Sequence, residues 1–429
     1  MRGLVALLVL LVGATATVHA QTPPGPAPVQ LAGRVLTLNE AVAIALERQP
    51  QILARVGELD AAQARVVQAL APLLPQMTFS YNQRRSQTFS SVLGPDLATT
   101  YVAQQTATLK VYDFGKTYAA VDAARFNTQV SKEALEQTRD QIVLGVKQGY
   151  FTLLLSQRLV GVNQQALERA ELNLRSARGF YEVGTRPKLD VTRAEVDVAN
   201  ARVNLIRANN AVNLARVSLS TAMGLPPDQT IQIEDILGYE RMAVSPADLA
   251  AEALRARPEV RQATARVQSA EATARQMVRQ FLPDLNANGT VGYAGNEYPL
   301  SQVWELGFTL SWTWFEGFGN VGRLREARAN LEAAKSNAAS VELSVRQEVE
   351  QSYLALVEAE ERARAAEKAV EAAQENFRLA QGRFDAGVGT IIELTDAQLA
   401  FTQAQSTEIQ ALADLRIGRA QLERALGRR

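Results

Sequence analysis

The chain has 429 residues, 45 of them basic and 45 acidic, and 47% of them hydrophobic. It lacks the positive excess that binding to a phosphate backbone demands, so nucleic acid is excluded as a partner, and the apolar share is too high for a disordered chain. There is no cysteine and a single histidine, His19, so disulfides are ruled out and no metal or other cofactor is expected; an enzyme would have to work with carboxylates alone, and no paired acid site is visible.

At the N-terminus, Arg2, the apolar run Leu4 to Val12 and the small-residue pattern Val18-His19-Ala20 read as a signal peptide over residues 1–20, with the mature chain starting at Gln21. The apolar run is too short to span a bilayer as a helix. His19 leaves with the peptide. Residues 21–36, with the Pro-rich stretch QTPPGPAPVQ, form a lead-in without regular structure.

From there the chain is written twice. LNEAVAIALERQPQI from Leu38 matches PADLAAEALRARPEV from Pro246, and Leu74-Pro75 matches Leu282-Pro283 at the same offset; Tyr112-Asp113, Tyr150, Gly184 and Gly224 match Phe315-Glu316, Tyr353, Gly387 and Gly427. The first repeat, 37–224, predicts a helix from about 38 to 72, strands near 76–91 and 99–113, a long helix 116–182, a tip turn 183–187 and a return helix 188–223. A linker, 225–245, leads to the second repeat, 246–429. That repeat predicts a helix 246–281, strands 284–297 and 302–316, a long helix 319–385, a tip turn 386–390 and a return helix 391–427.

The strands alternate. Met77, Phe79 and Tyr81 stand against Thr78, Ser80 and Asn82, and in WELGFTLSWTWFEGFGN the residues Trp304, Leu306, Phe308, Leu310, Trp312 and Trp314 share one face. Alternation is what any half-buried strand shows, and two hairpins over a soluble core remain open on that ground. Three features favour lipid. The helices offer no large apolar face to cover the hairpins, the polar faces are rich in Ser, Thr, Asn and Gln, and tryptophans bracket the greasy face about 26 Å apart at ~3.3 Å per residue. A transmembrane barrel has an apolar band of about 25 Å edged by aromatic girdles.

Four strands cannot close a barrel, and open edges are not tolerated in lipid, so closure has to come from other copies. Two copies give an eight-stranded barrel that side chains fill, whereas three give twelve strands and room for a channel. The long helices, at roughly 1.5 Å per residue, reach about 100 Å. Their seams (Leu167, Ala170, Leu174, Ala177 and Tyr181; Ala363, Ala366, Val370, Ala373, Phe377, Ala380 and Phe384) repeat every seven residues and predict supercoiled pairing with return helices through Ile392, Leu399, Ile409 and Ala413. The fold class is therefore mainly α with a membrane β-barrel, a duplicated helix, hairpin, long helix and helix unit. In the assembly a trimeric twelve-stranded barrel is continued by an α-helical, coiled-coil barrel. A soluble periplasmic coiled-coil adaptor or scaffold is the competing reading from another class.

The duplicated layout, the ALERQP and ALRARP openings, the Leu-Pro pairs before the strands, Tyr112-Asp113-Phe114-Gly115 and Phe315-Glu316-Gly317 after them, and the two Gly turns together resemble the TolC-like outer-membrane efflux protein family, over nearly the whole mature chain. The resemblance implies a homotrimer in the cell outer membrane with its helices in the periplasm, docked to a periplasmic adaptor and an inner-membrane transporter. It implies a passive exit duct for drugs and other small molecules, or, as the alternative within the family, for proteins in a type I secretion system. The energy source lies elsewhere, because the chain has no nucleotide-binding loop.

At the tip, Gly184, Thr185 and Arg186 in the first turn and Gly387, Gly389 and Thr390 in the second are the residues that the resemblance brings to the adaptor. Glu393 and Asp396 lie one helical turn apart and align with the acidic pair that narrows the pore of similar proteins; Asp190 is the acid at the matching place in the first repeat. Thr390 with Glu393 also fits a helix cap. A Tyr and an Arg that hold the tip closed in similar proteins are here Phe384 and Gly389, leaving Arg186, Lys188 or Tyr181 to substitute. The membrane-facing aromatics expected are Phe79, Tyr81, Trp304, Phe308, Trp312 and Trp314.

Overall fold

A computed structural model describes residues 35–90, 94–227, 231–238 and 248–429. The expected signal peptide and all but the end of the lead-in lie outside the described residues, as does part of the linker. The elements of the first repeat are β1 (Val35–Leu36), α1 (Leu38–Arg48), α2 (Pro50–Leu70), β2 (Gln76–Ser90), β3 (Gly94–Tyr112), α3 (Lys116–Glu182) and α4 (Lys188–Ala222). After β4 (Gln232–Ile233) the second repeat gives α5 (Leu249–Ala256), α6 (Pro258–Arg279), β5 (Asp284–Gly295), β6 (Ser301–Ser311), α7 (Gly319–Asp385) and α8 (Ile391–Ala425).

The first helix of each repeat is not continuous. Proline disfavours helical angles in the residue before it; Gln49 and Arg257 are extended, with ψ of 119° and 133°, and Pro50 and Pro258 begin new helices. Into each break fits the glycine that ends a return helix: Gly224 (φ +72°) lies against the Arg48 carbonyl and Gly427 (φ +74°) against Ala256. The lead-in also ends in structure. Val35–Leu36 pairs in parallel with Gln232–Ile233, and buried Tyr150 points its hydroxyl at the Leu36 and Glu234 carbonyls, at 3.0 and 2.9 Å.

The helices pack side by side. On the tip side the order is α4, α3, α8, α7; on the sheet side it is α2, α3, α6, α7. Two apolar clusters fill the middle, one around Tyr150, Leu153, Leu154, Leu219 and Met223, the other around Val345, Val349, Leu356, Leu415 and Leu422. The α8 seam is buried at Leu394, Phe401, Leu415 and Leu422, the first two seven apart and the last two likewise. Ile392 and Leu399 are exposed: the expected seam ran through the wrong face there, because apolar residues occupy two faces of this helix and periodicity does not say which is covered. Tyr181 is exposed as well.

β2, β3, β5 and β6 form one antiparallel sheet in that order. The two hairpins are joined through β3 and β5, which leaves β2 and β6 as open edges. Among the described residues no helix is long and apolar enough to cross a membrane.

Candidate functional site

In an antiparallel ladder directly opposed residues share a face. Phe79, Gln105, Val291 and Trp304 make one row; Met77, Ala107, Gly289 and Leu306 make the next, and Leu109, Ala287 and Phe308 another. Gln105 is the one polar member of these rows. The other face carries Thr78, Thr106, Thr290 and Glu305, flanked by Gln76, Thr108, Asn288 and Gly307. Asn288 donates to Thr309 at 2.8 Å.

The greasy face is bare. Trp304 is 75% exposed and Phe308 74%, and Phe79, Tyr81, Leu306 and Leu310 are exposed too, a contiguous patch of the kind that marks a membrane or partner surface. Trp312 and Trp314 are exposed but lie beyond the end of β6, at Ser311, contrary to the expected strand to 316. The backbone turns there through positive φ at Gly317 and Phe318 to start α7, and the Trp312 indole donates to the Phe281 carbonyl at 3.1 Å. Exposed aromatics gather at the junction of sheet and helices in two groups, Tyr112 against Phe114, and Trp314 and Phe318 against Phe315.

At the other end both long helices stop in the same way. Gly184 (φ +78°) and Gly387 (φ +76°) reverse the chain, and the next amides close back on the Phe180 and Arg383 carbonyls. Arg186 joins the two turns. Its Nη2 donates to the Gly389 carbonyl at 2.8 Å, its Cζ sits 4.7 Å above the Phe384 ring, and Nη1 lies 3.8 Å from Asp190. Beneath it Phe384, Ile391 and Leu394 form a small buried cluster with Phe180 packed on it. A side chain at Gly389 would meet the Arg383 and Phe384 backbone at 3.0 Å, a crowded place in this chain.

The three acids expected to act together are divided. Asp190 is 8% exposed and faces Arg186, so it is part of the clamp and not an exposed carboxylate. Glu393 and Asp396 are both exposed. The Thr390 hydroxyl caps the Glu393 amide at 3.2 Å, and the Glu393 carboxylate is 3.6 Å from Arg383. Asp396 instead lines an open groove of about 250 Å³ between α4 and α8, with Arg193, Asp197 and Thr395. Arg383 and Asp197 were not legible beforehand. Asp197 accepts from the Thr395 hydroxyl at 3.2 Å, and burial raises its carboxyl above the ordinary value even though that bond and Arg193 pull it down.

Comparison with known proteins matches this architecture. The family model for outer membrane efflux proteins covers residues 41–225 and 249–428. The toluene efflux pump outer membrane protein TtgC of Pseudomonas putida is 26% identical over 96% of this chain and 90% of its own length. The outer-membrane channel OprN superposes with a TM-score of 0.83 at 20% identity, over 91% of this chain and 89% of that one. The CmeC outer membrane channel of Campylobacter jejuni gives 0.82 at 16% identity, over 91% and 85%. With both repeats matched end to end, the chain belongs to the outer membrane efflux protein family.

Proposed function

We propose that three copies of this chain close head to tail into one duct, a twelve-stranded barrel in the outer membrane continued by a helical barrel in the periplasm. The observation that carries this is that the chain is open on both lateral edges at every level. β2 and β6 are unpaired edges of the sheet, and the outer helices of the layer are α4 and α7 on the tip side and α2 and α7 on the sheet side. Unpaired backbone groups in lipid cost several kcal/mol each, so the sheet requires a partner. Along α4 the residues Leu189, Val196 and Val203, seven apart, are exposed with Ile206 and Leu214; on α7 Leu343, Leu354 and Leu379 are exposed. A head-to-tail contact covers both stripes and all edges at once, and it closes when the rotation does.

In that ring the aromatic face meets lipid and the Ser, Thr and Asn face lines water. The tip narrows around Glu393 and Asp396, repeated in each copy, with the Arg186 clamp holding the two turns of each copy together. Gly184, Thr185, Gly387 and Thr390 present backbone and small side chains to a periplasmic adaptor, which couples the duct to an inner-membrane transporter. The cargo is small molecules, in keeping with the names of the relatives, among them toluene efflux and pyoverdine export proteins. Reconstitution tests the reading: the purified protein in planar bilayers should give discrete conducting steps, and a protein that extracts from the outer membrane but passes no ions would overturn it.

A further inference from the structure

Two charges stand on the polar face at the open edges of the sheet, Arg84 on β2 and Glu305 on β6. Both are exposed, and neither has an ion-pair partner among the described residues of its own chain. The remaining charges on this face at the helix end are already matched, Lys110 to Asp113 at 3.9 Å and Asp284 to Lys116 at 2.9 Å.

The register says where these two charges go. The repeats correspond by matching Leu74-Pro75 with Leu282-Pro283 before the strands and Tyr112-Asp113 with Phe315-Glu316 after them; Gln76 thus corresponds to Asp284 and Thr108 to Ser311. The ladder nevertheless puts Gln76 and Thr108 in one row with Asn288 and Gly307, each four residues further from the helix end than its counterpart. From one hairpin to the next the pairing therefore climbs by four residues, the constant stagger that a closing barrel needs. The seam between copies, β6 against β2, is the counterpart of the β3–β5 pairing inside the chain. Carried over, Gln104 opposite Gly292 becomes Gly307 opposite Arg84 of the partner subunit, and Val102 opposite Ala294 becomes Glu305 opposite Ser86 of the partner subunit.

We propose that Glu305 of each copy forms an ion pair with Arg84 of the partner subunit across the barrel seam, on the water-filled side. The two are diagonal neighbours, a separation of about 7–8 Å that long side chains bridge, and Gly307, with nothing within 4 Å of where its Cβ would be, leaves the space above it for the guanidinium. The pair opposes a slip in the direction that moves Glu305 further from Arg84 of the partner subunit, because two residues of such a slip take the charges out of reach of each other. It rests on the three-copy reading, and the test separates the two.

The chain has no cysteine, so paired thiols report without background. Arg84→Cys with Gly307→Cys should oxidise to covalent dimers and trimers in isolated outer membranes, while Ser80→Cys with Gly307→Cys should stay monomeric on a denaturing gel. Glu305→Arg alone should lose the heat-stable trimer band, and Glu305→Arg with Arg84→Glu should restore it. Cross-linking through Ser80, or no rescue by the swap, overturns the pair and leaves the trimer standing. Failure of the wild-type protein to form any oligomer overturns both.

Discussion

Arg186 and Gly389, on different tip turns, are joined by a 2.8 Å hydrogen bond from the guanidinium to the carbonyl. A Cβ at Gly389 would stand 3.0 Å from the backbone of Arg383 and Phe384, and the contact is made from the opposite turn, by an arginine seated on the Phe384 ring and held by Asp190. A hydrogen bond to a charged group is worth about 1.5–3 kcal/mol, and ~1.4 kcal/mol is tenfold in an equilibrium. Arg186→Ala should therefore raise the open fraction of the duct by about tenfold or more, read as longer open times in planar bilayers. Arg186→Lys keeps the charge without the planar fork and should fall between the two. Unaltered gating in both variants would remove the clamp from the account.

Glu393 and Asp396 set a second expectation. A ring of carboxylates in a narrow pore concentrates cations, so Glu393→Ala with Asp396→Ala should raise single-channel conductance and weaken block by polyvalent cations. Glu393→Ala alone also frees Arg383, 3.6 Å away, and should reduce cation selectivity more than Asp396→Ala, whose carboxylate faces the groove between α4 and α8. Equal ion selectivity in all three variants would contradict a gate at this place.

The sheet can be tested by depth. Counted from the helix end of its strand, Trp304 lies seven residues in from Ser311, and Tyr293 nine residues from Asp284, which at about 3.3 Å per residue sets both near the far boundary of a ~25 Å apolar band. With the other two tryptophans changed to Phe, Trp304 fluorescence should be quenched by lipids brominated on the acyl chain and be insensitive to aqueous iodide. Strong iodide quenching with no effect of brominated lipid would place this face in water.

In the middle of the molecule, Arg257 is buried between Glu259 at 2.9 Å and Glu348 at 2.5 Å, and Arg424 reaches Glu259 at 3.1 Å. Burial by itself raises the Glu259 carboxyl, but Arg257 and Arg424 more than offset it and hold the group below its ordinary value. A carboxyl lowered on folding adds stability that is present above its unfolded value and is lost as pH falls through the folded one. The thermal midpoint should thus fall on acidification below about pH 4.5, and Glu259→Gln should be less stable at neutral pH and lose less on acidification. A midpoint with the same acid dependence in both proteins would contradict this.

Tyr150 ties the lead-in and the linker to α3 through the Leu36 and Glu234 carbonyls. Tyr150→Phe should cost about 0.5–1.5 kcal/mol. Gly224→Ala, forcing a side chain into a left-handed position against the Arg48 carbonyl, should cost about 1–2 kcal/mol. Chemical denaturation in detergent reads both, and two wild-type midpoints would refute the packing described.

The long helices were legible because each runs 67 residues without a proline and carries a seven-residue seam, at 167–181 and 363–384, and the strands because their alternation has no competing period. Three things escaped. The breaks at Gln49 and Arg257 are set by a single proline each inside otherwise helical sequence. β6 ends before Trp312 because its partner β5 begins at Asp284, which pairs with Ser311, a limit set by the other strand that alternation within one strand does not show. At the tip, Glu393 and Asp396 share a helix face by spacing, but what each meets is decided by α7 and α4, segments distant in sequence. The burial of Asp190 follows in the same way from Arg186 reaching across to the second turn.

The most direct test of the three-copy duct is the protein mass of the detergent-solubilised particle, by light scattering with the detergent contribution subtracted. Extracted from outer membranes, it should contain three chains. A single chain per particle, or protein recovered from the soluble periplasmic fraction, would contradict the account.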